Sequence, residues 1–313
     1  MLGPKEFIAY TEDIEAVFRK HAVNHHLFAD DKQVYIDVSI DDINSARRRL
    51  QGCIADVVNW CSSRRLQLNA SKTELIWLGT RHSLSKMDLD ACSLQVGEVD
   101  IKPATSVRDL GVQLDCELTM KQHVAKVAGI CFYHLRRLRQ IRRLVGQQAM
   151  AQLISAIIFS RLDYCNSVLI GLPHSTIAPL QRVQNASARL VLNLGIRDHM
   201  TSALKQLHWL PVVYRIKFKI CLLMHLIHTG QCPAYLSETV ALIASSCTRP
   251  GLRSATGTNY SIPRTRTKFG ERAFSYAGPT EWNLLPANIR SIVDTIKFKR
   301  SLKTHFFELA FEH

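Results

Sequence analysis

Up to Asp115, short alternating apolar runs and tight turns surround a single long helical stripe, whereas beyond it apolar residues recur at helical spacing almost to the end. This change of period constrains the fold most. A repeat of two places side chains on one face of a strand, and a repeat near 3.6 places them on one face of a helix. The chain is therefore expected to be α+β, with a small antiparallel sheet and packed helices first and a mainly helical part after it. Charge changes at the same place: residues 1–117 carry 14 Lys and Arg against 18 Asp and Glu, net −4, and residues 118–313 carry 26 against 8, net +18. The basic part is the natural partner of a polyanion.

With 313 residues, 47% of them hydrophobic, the chain can bury at least one core. Nine cysteines form an odd, scattered set with no Cys-x-x-Cys. That excludes a disulfide scaffold or zinc-finger reading and points to a reducing, intracellular compartment. No apolar run approaches the roughly 18 residues of a membrane span, so no membrane partner is expected.

The feature with the clearest chemistry is His25-His26-Leu27-Phe28-Ala29-Asp30-Asp31-Lys32-Gln33-Val34-Tyr35. Its β-formers predict two short strands with Ala29 to Lys32 as the turn. Adjacent carboxylates repel, and a hard divalent cation bound through oxygen relieves that repulsion. Asp30 and Asp31 are thus metal candidates, with Mg2+ the expected ion. An acidic turn of this kind is more often simply solvated.

Further on, Ser39 is an expected cap for a helix with apolar residues at 43, 46, 50, 54, 57 and 61, and Arg47-Arg48-Arg49 largely outside the stripe. Leu66 to Leu68 and Thr73 to Leu78 are expected strands, with Lys72 in the turn between them. Leu94 to Ile101 is an expected hairpin about Gly97-Glu98, and Val107 to Leu114 an expected single strand in which Gly111 allows close backbone approach. Residues 118–162 hold eight Lys or Arg and no acid. Val124, Val127, Cys131, Leu135, Leu138 and Val145 form their apolar stripe, and Arg136, Arg137, Arg139, Arg142 and Arg143 crowd one end. Guanidinium groups on one helix face suit phosphates, so these five are the candidate nucleic-acid contacts. Further helices are expected over 150–162, from a cap at Ser175 to Leu194, over 212–229 and over 294–311. His208, His225 and His228 have no acidic partners spaced for a metal site.

Phe28-Ala29-Asp30-Asp31 resembles the aromatic-X-Asp-Asp box of reverse transcriptases. The segments Asn59 to Ser63, Leu66 to Glu74 and Val107 to Val112 resemble the blocks that follow it. The resemblance is to non-LTR (LINE-type) retrotransposon reverse transcriptases and extends to the end of the chain, including Glu281-Trp282-Asn283-Leu284-Leu285-Pro286. It implies a partial palm over 1–117, a helical thumb over 118–172, a C-terminal helical region over 173–244, a basic loop or linker over 245–268 and an aromatic-rich segment with a closing helix over 269–313. It also implies RNA-directed DNA polymerisation by two-metal chemistry, with Asp30, Asp31 and Lys72 catalytic, Phe28, Ala29, Leu110 and Gly111 against substrate, and an RNA template, a DNA primer and deoxynucleoside triphosphates as partners. Cytoplasm and nucleus are the expected locations. The family's upstream metal-binding strand and Gln-Gly-Ser block are not in the sequence, so catalysis by this chain alone is not expected. The alternatives are a non-catalytic RNA or RNA–DNA hybrid-binding module, or a transposon remnant without function.

Overall fold

The structure of the protein, a computed structural model, describes residues 3–88, 92–243 and 258–312. Residues 245–257, most of the expected basic loop, lie outside the described residues. The chain divides into two compact units, Met1–Leu118 and Thr119–His313, and the fold is α+β.

The first unit opens with α1 (Gly3–Thr11) and α2 (Glu15–Lys20), then β1 (Asn24–Phe28) and β2 (Asp31–Tyr35), α3 (Ile43–Ser63) and the short α4 (Arg81–Leu84). Two further ribbons follow, β3 (Leu94–Val96) with β4 (Val99–Ile101) and β5 (Ser106–Asp109) with β6 (Val112–Asp115). All three pairs are antiparallel, and each is its own two-stranded sheet. The expected single small sheet is thus replaced by three local ladders, because each strand finds its partner across a two-residue turn.

Two more expectations are corrected. Val107 to Leu114 is not one strand: Leu110 (φ 42°) and Gly111 (φ 88°) turn it back on itself, with Asp109 opposite Val112. Two successive positive φ values define the turn that suits the twist of a hairpin. The two strands expected between Leu66 and Leu78 are absent; Leu75 makes one isolated bridge to Pro103, and Ala70–Lys72 is a turn of 3-10 helix. Ser39, expected as a cap, donates its hydroxyl to Asp42 Oδ2 (2.6 Å) instead of bonding the helix backbone.

The first unit's core lies between the opening helices and α3. Ile14, Phe18 and Val23 meet Cys53, Val57 and Cys61. Val57 and Cys61 belong to the predicted stripe of α3, Cys53 takes the buried place expected of Ile54, and burial pushes the Cys53 thiol up to about 11.

The second unit is mainly helical, with one antiparallel bridge between Leu242 and Tyr260: α5 (Lys121–Ile141), α6 (Gln147–Ile154), α7 (Ser160–Asp163), α8 (His174–Leu192), α9 (Met200–Gln206), α10 (Val212–His228), α11 (Ala234–Ser237), α12 (Phe274–Asn283), α13 (Ala287–Arg290) and α14 (Thr295–Phe311). A π-helical turn, Ser155–Phe159, joins α6 to α7. Helix α8 starts at His174 after Pro173, so Ser175 is not its cap. α5 packs on α8, α8 on α10, and α10 on α12 and α14. The main core gathers Cys221, Met224 and Ile227 of α10, Trp282 of α12, and Phe298, Leu302 and Phe306 of α14. Gly278 lets α12 lie against α10, since a Cβ there would come 2.8 Å from the Met224 sulfur.

The Trp282-Asn283 pair has a structural task in this core. Trp282 is fully buried and donates Nε1–H to Thr258 O (2.9 Å). Asn283 accepts from Tyr260 N–H (2.9 Å) and donates to Tyr260 O (2.8 Å), satisfying the backbone groups of Tyr260 on the edge away from its antiparallel bridge partner Leu242. Gln184, fully buried on α8, similarly donates to Leu210 O (2.7 Å) in the His208-Trp209-Leu210-Pro211 corner.

Candidate functional site

The β1–β2 ribbon sets Asp30 in its turn and Asp31 at the first position of β2, opposite Phe28. Ala29 takes φ 56°, which lets two residues reverse the chain. Both carboxylates are exposed, as are Phe28 (64%) and Tyr35 (44%). Cross-strand partners share a face, so the register groups Phe28, Asp31, His26, Gln33 and Tyr35. On that face His26 stacks on Tyr35 at 5.5 Å. On the other, His25 stacks on the buried Phe18 at 4.8 Å and anchors the ribbon to α2. Lys32 Nζ, 5.8 Å from the Phe7 ring centre, donates to Asp30 O (3.4 Å).

A third carboxylate approaches this face from the neighbouring ribbon. Gln33 donates Nε2–H to Asp109 Oδ1 (2.5 Å), joining β2 to the end of β5. Partial burial raises the Asp109 pKa above the usual 3.8, the negative charge of Asp31 raises it further, and the Gln33 hydrogen bond opposes both. Asp31 and Asp109 are therefore close enough to feel each other's charge, although they are far apart in sequence. Periodicity could not reveal Gln33 or Asp109 as neighbours of the Asp pair. The only signal was the Asp-Leu-Gly-Val turn, which, read as a hairpin, puts Asp109 at its tip.

Leu110 and Gly111 form that same tip. Lys72 is exposed on its 3-10 turn and makes no ion pair among the described residues. No group of three or more His, Cys, Asp or Glu with metal-holding geometry occurs among the described residues.

In the helical unit, α5 buries Val124, Ala128, Cys131, Leu135 and Leu138. That leaves Arg136, Arg137, Arg139 and Arg143 exposed. Arg142 differs from them. Its guanidinium donates to Leu190 O (2.7 Å), Val191 O (3.0 Å) and Val145 O (3.3 Å), satisfying the last carbonyls of α8. Four of the five predicted arginines face solvent, and the fifth joins two helices.

A groove of about 540 Å³ between α8, α9, α10 and α14 has a polar wall of Gln181, Asn185 and Lys217. Those groups serve the fold. Gln181 donates to Gln184 and Asn185 and accepts from Val212 N–H, while Lys217 pairs with Glu281 at 3.1 Å.

His225 and His228 sit inside the aromatic core, His225 stacked on Phe298 at 4.0 Å and His228 Nδ1 3.3 Å from Tyr260 Oη. Burial lowers both pKa values below 6.5. No helix among the described residues is long and apolar enough to cross a membrane. No protein-family model, curated protein or solved structure matches the chain.

Proposed function

We propose that the chain is part of an RNA-directed DNA polymerase of non-LTR retrotransposon type, with the β1–β2 tip as its cation-holding element and the exposed face of α5 as its nucleic-acid contact. The observation that carries this is the tip itself, where Asp30 and Asp31 stand exposed on a tight hairpin beside Asp109 of a second hairpin. Carboxylates supplied by separate strands are what two-metal phosphoryl transfer requires.

The donor set suits Mg2+, which binds through one or two carboxylates and completes its shell with water and substrate phosphates. Asp30 and Asp31 would hold it. When bound, the ion supplies charge neutralisation at the phosphates and lowers the pKa of an attacking hydroxyl. The chain's own residues do the rest. Gln33 fixes Asp109 against Asp31, Phe28 and Ala29 give the triphosphate substrate an apolar and a main-chain surface, and Leu110 and Gly111 present backbone near the primer end. Lys72, exposed and with no ion pair among the described residues, would offset charge on departing pyrophosphate.

Photo-crosslinking with 8-azido-dATP tests this. Mg2+-dependent labelling of the segment around Phe28, abolished in D30N/D31N, is the expected result. Labelling indifferent to Mg2+ and to D30N/D31N would overturn the assignment.

A second reading, a nucleic-acid-binding module without catalysis, is favoured by the four solvent-facing arginines of α5. It predicts binding of an RNA–DNA hybrid that weakens steeply with salt and is unchanged in D30N/D31N.

A further inference from the structure

Helix α14 carries a second basic surface, and it differs in construction from α5. Phe298, Leu302 and Phe306 point inward and are at most 3% exposed. Lys297, Lys299, Arg300 and Lys303 are all exposed. None makes an ion pair among the described residues, and the helix has no acid before Glu308. Asp294, just ahead of it, spends its carboxylate as a cap, accepting from Lys297 N–H at 2.6 Å.

The spacing makes this arrangement unfavourable by itself. Lys297 and Arg300, and Arg300 and Lys303, stand three residues apart; Lys299 and Lys303 stand four apart. Those separations place side chains next to one another on a helix, where like charges repel. Some exposed cations of this protein find acids: Arg19 meets Glu15 at 2.6 Å, Lys20 meets Asp56 at 2.7 Å and Lys268 meets Glu271 at 2.8 Å. On α14 no ion pair among the described residues offsets the repulsion, whereas a row of phosphates would.

A basic amphipathic helix can also lie on an anionic membrane, but to do so it must insert its apolar face. Here that face is already spent on Cys221, Met224 and Trp282. What α14 offers a partner is charge, with the exposed Ile296 (63%) and Val293 (74%) at the near end for contact with sugars or bases.

We infer that the outer face of α14, through Lys297, Lys299, Arg300 and Lys303, binds the phosphate backbone of a nucleic acid as a contact separate from α5. Helices α8 and α10 stand between the two in the packing order. The inference rests on the helical unit being a nucleic-acid partner, and not on any polymerase activity.

The test is the salt dependence of binding of the full chain to a 20-nucleotide single-stranded RNA. Each phosphate contact contributes about 0.7 to the slope of log K against log salt. K297Q/K299Q/R300Q/K303Q should therefore lower the slope by about 3 and weaken binding about 100-fold at 0.15 M salt. R136Q/R137Q/R139Q/R143Q, measured in parallel, reports on α5 alone, so loss of that contact and loss of this one are told apart. The pairs K297Q/R300Q and K299Q/K303Q should each remove about half of the effect, which covers a quadruple variant that folds poorly. An unchanged slope in the α14 variants overturns the inference whatever the α5 variant does. So does a loss confined to binding of phosphatidylserine vesicles with RNA affinity intact.

Discussion

The two units solve the same problem with different margins. In Met1–Leu118 the long α3, the short α2 and the turns flanking α2 supply a core cluster of six buried residues, and the ribbons leave large side chains such as Phe28 in water. In Thr119–His313 the helices close around Trp282, Phe298, Leu302 and Phe306, and even the polar residues Gln184 and His225 are fully buried. A closed apolar core frees the outer face of a helix to carry unpaired charge, as α5 and α14 do. An open ribbon instead exposes its tip, where Asp30 and Asp31 lie. Exposed carboxylates at the tip and exposed charge on the helices are thus consequences of where each unit puts its apolar residues.

The contrast can be broken most forcefully at Trp282. W282A should cost about 3–5 kcal/mol and lower the calorimetric transition of the helical unit, with the other unit's transition unmoved. A common shift of both would show that the units do not melt separately. G278A forces a methyl against Met224 and should cost about 1–3 kcal/mol of the same transition.

Arg142 sharpens the division between structural and partner-facing arginines. R142A leaves three carbonyls without their donor and should cost about 1–3 kcal/mol in chemical denaturation. R136Q, R137Q, R139Q and R143Q should each change stability by less than about 0.5 kcal/mol while weakening hybrid binding. Equal destabilisation by all five would erase the distinction.

The units should also answer acid in opposite ways. His225 and His228 have folded pKa values below 6.5, so the helical unit has their full contribution above that pH and loses it as pH falls and the unfolded chain takes up protons. Asp109 has a folded pKa above 3.8, so its contribution to the first unit is fully present below 3.8 and is lost as pH rises through the folded value. Denaturation curves between pH 7 and 5 should show the helical unit weakening, less so in H228F. D109N should slightly stabilise the first unit at pH 7, and a destabilised D109N would contradict the charge argument.

The helices were legible because their stripes are long. The expected spans over 212–229 and 294–311 are realised as Val212–His228 and Thr295–Phe311. The ribbons were legible only where a turn residue announced itself. Gly97 marked β3–β4, whereas in Val107 to Leu114 the strand-forming residues on either side of Gly111 conceal a reversal that begins at Leu110, a non-glycine residue at positive φ. Thr73 to Leu78 shows the converse, a strand-like pattern with only one bridge to pair with. At the candidate site the Asp pair was visible as adjacent residues. Its neighbours Gln33 and Asp109 were not, because 76 positions separate them and only tertiary contact brings them together. The fixed role of Arg142 was hidden for the same reason, since it depends on carbonyls 48 and 49 residues away.

The proposal that the β1–β2 tip holds a cation is tested most directly with Mn2+ in place of Mg2+, read as paramagnetic broadening of backbone amide signals in the full chain. Broadening centred on residues 28–33 and reaching Asp109, and abolished in D30N/D31N, is the predicted result. Broadening centred elsewhere, or unchanged when both aspartates are replaced, would contradict it.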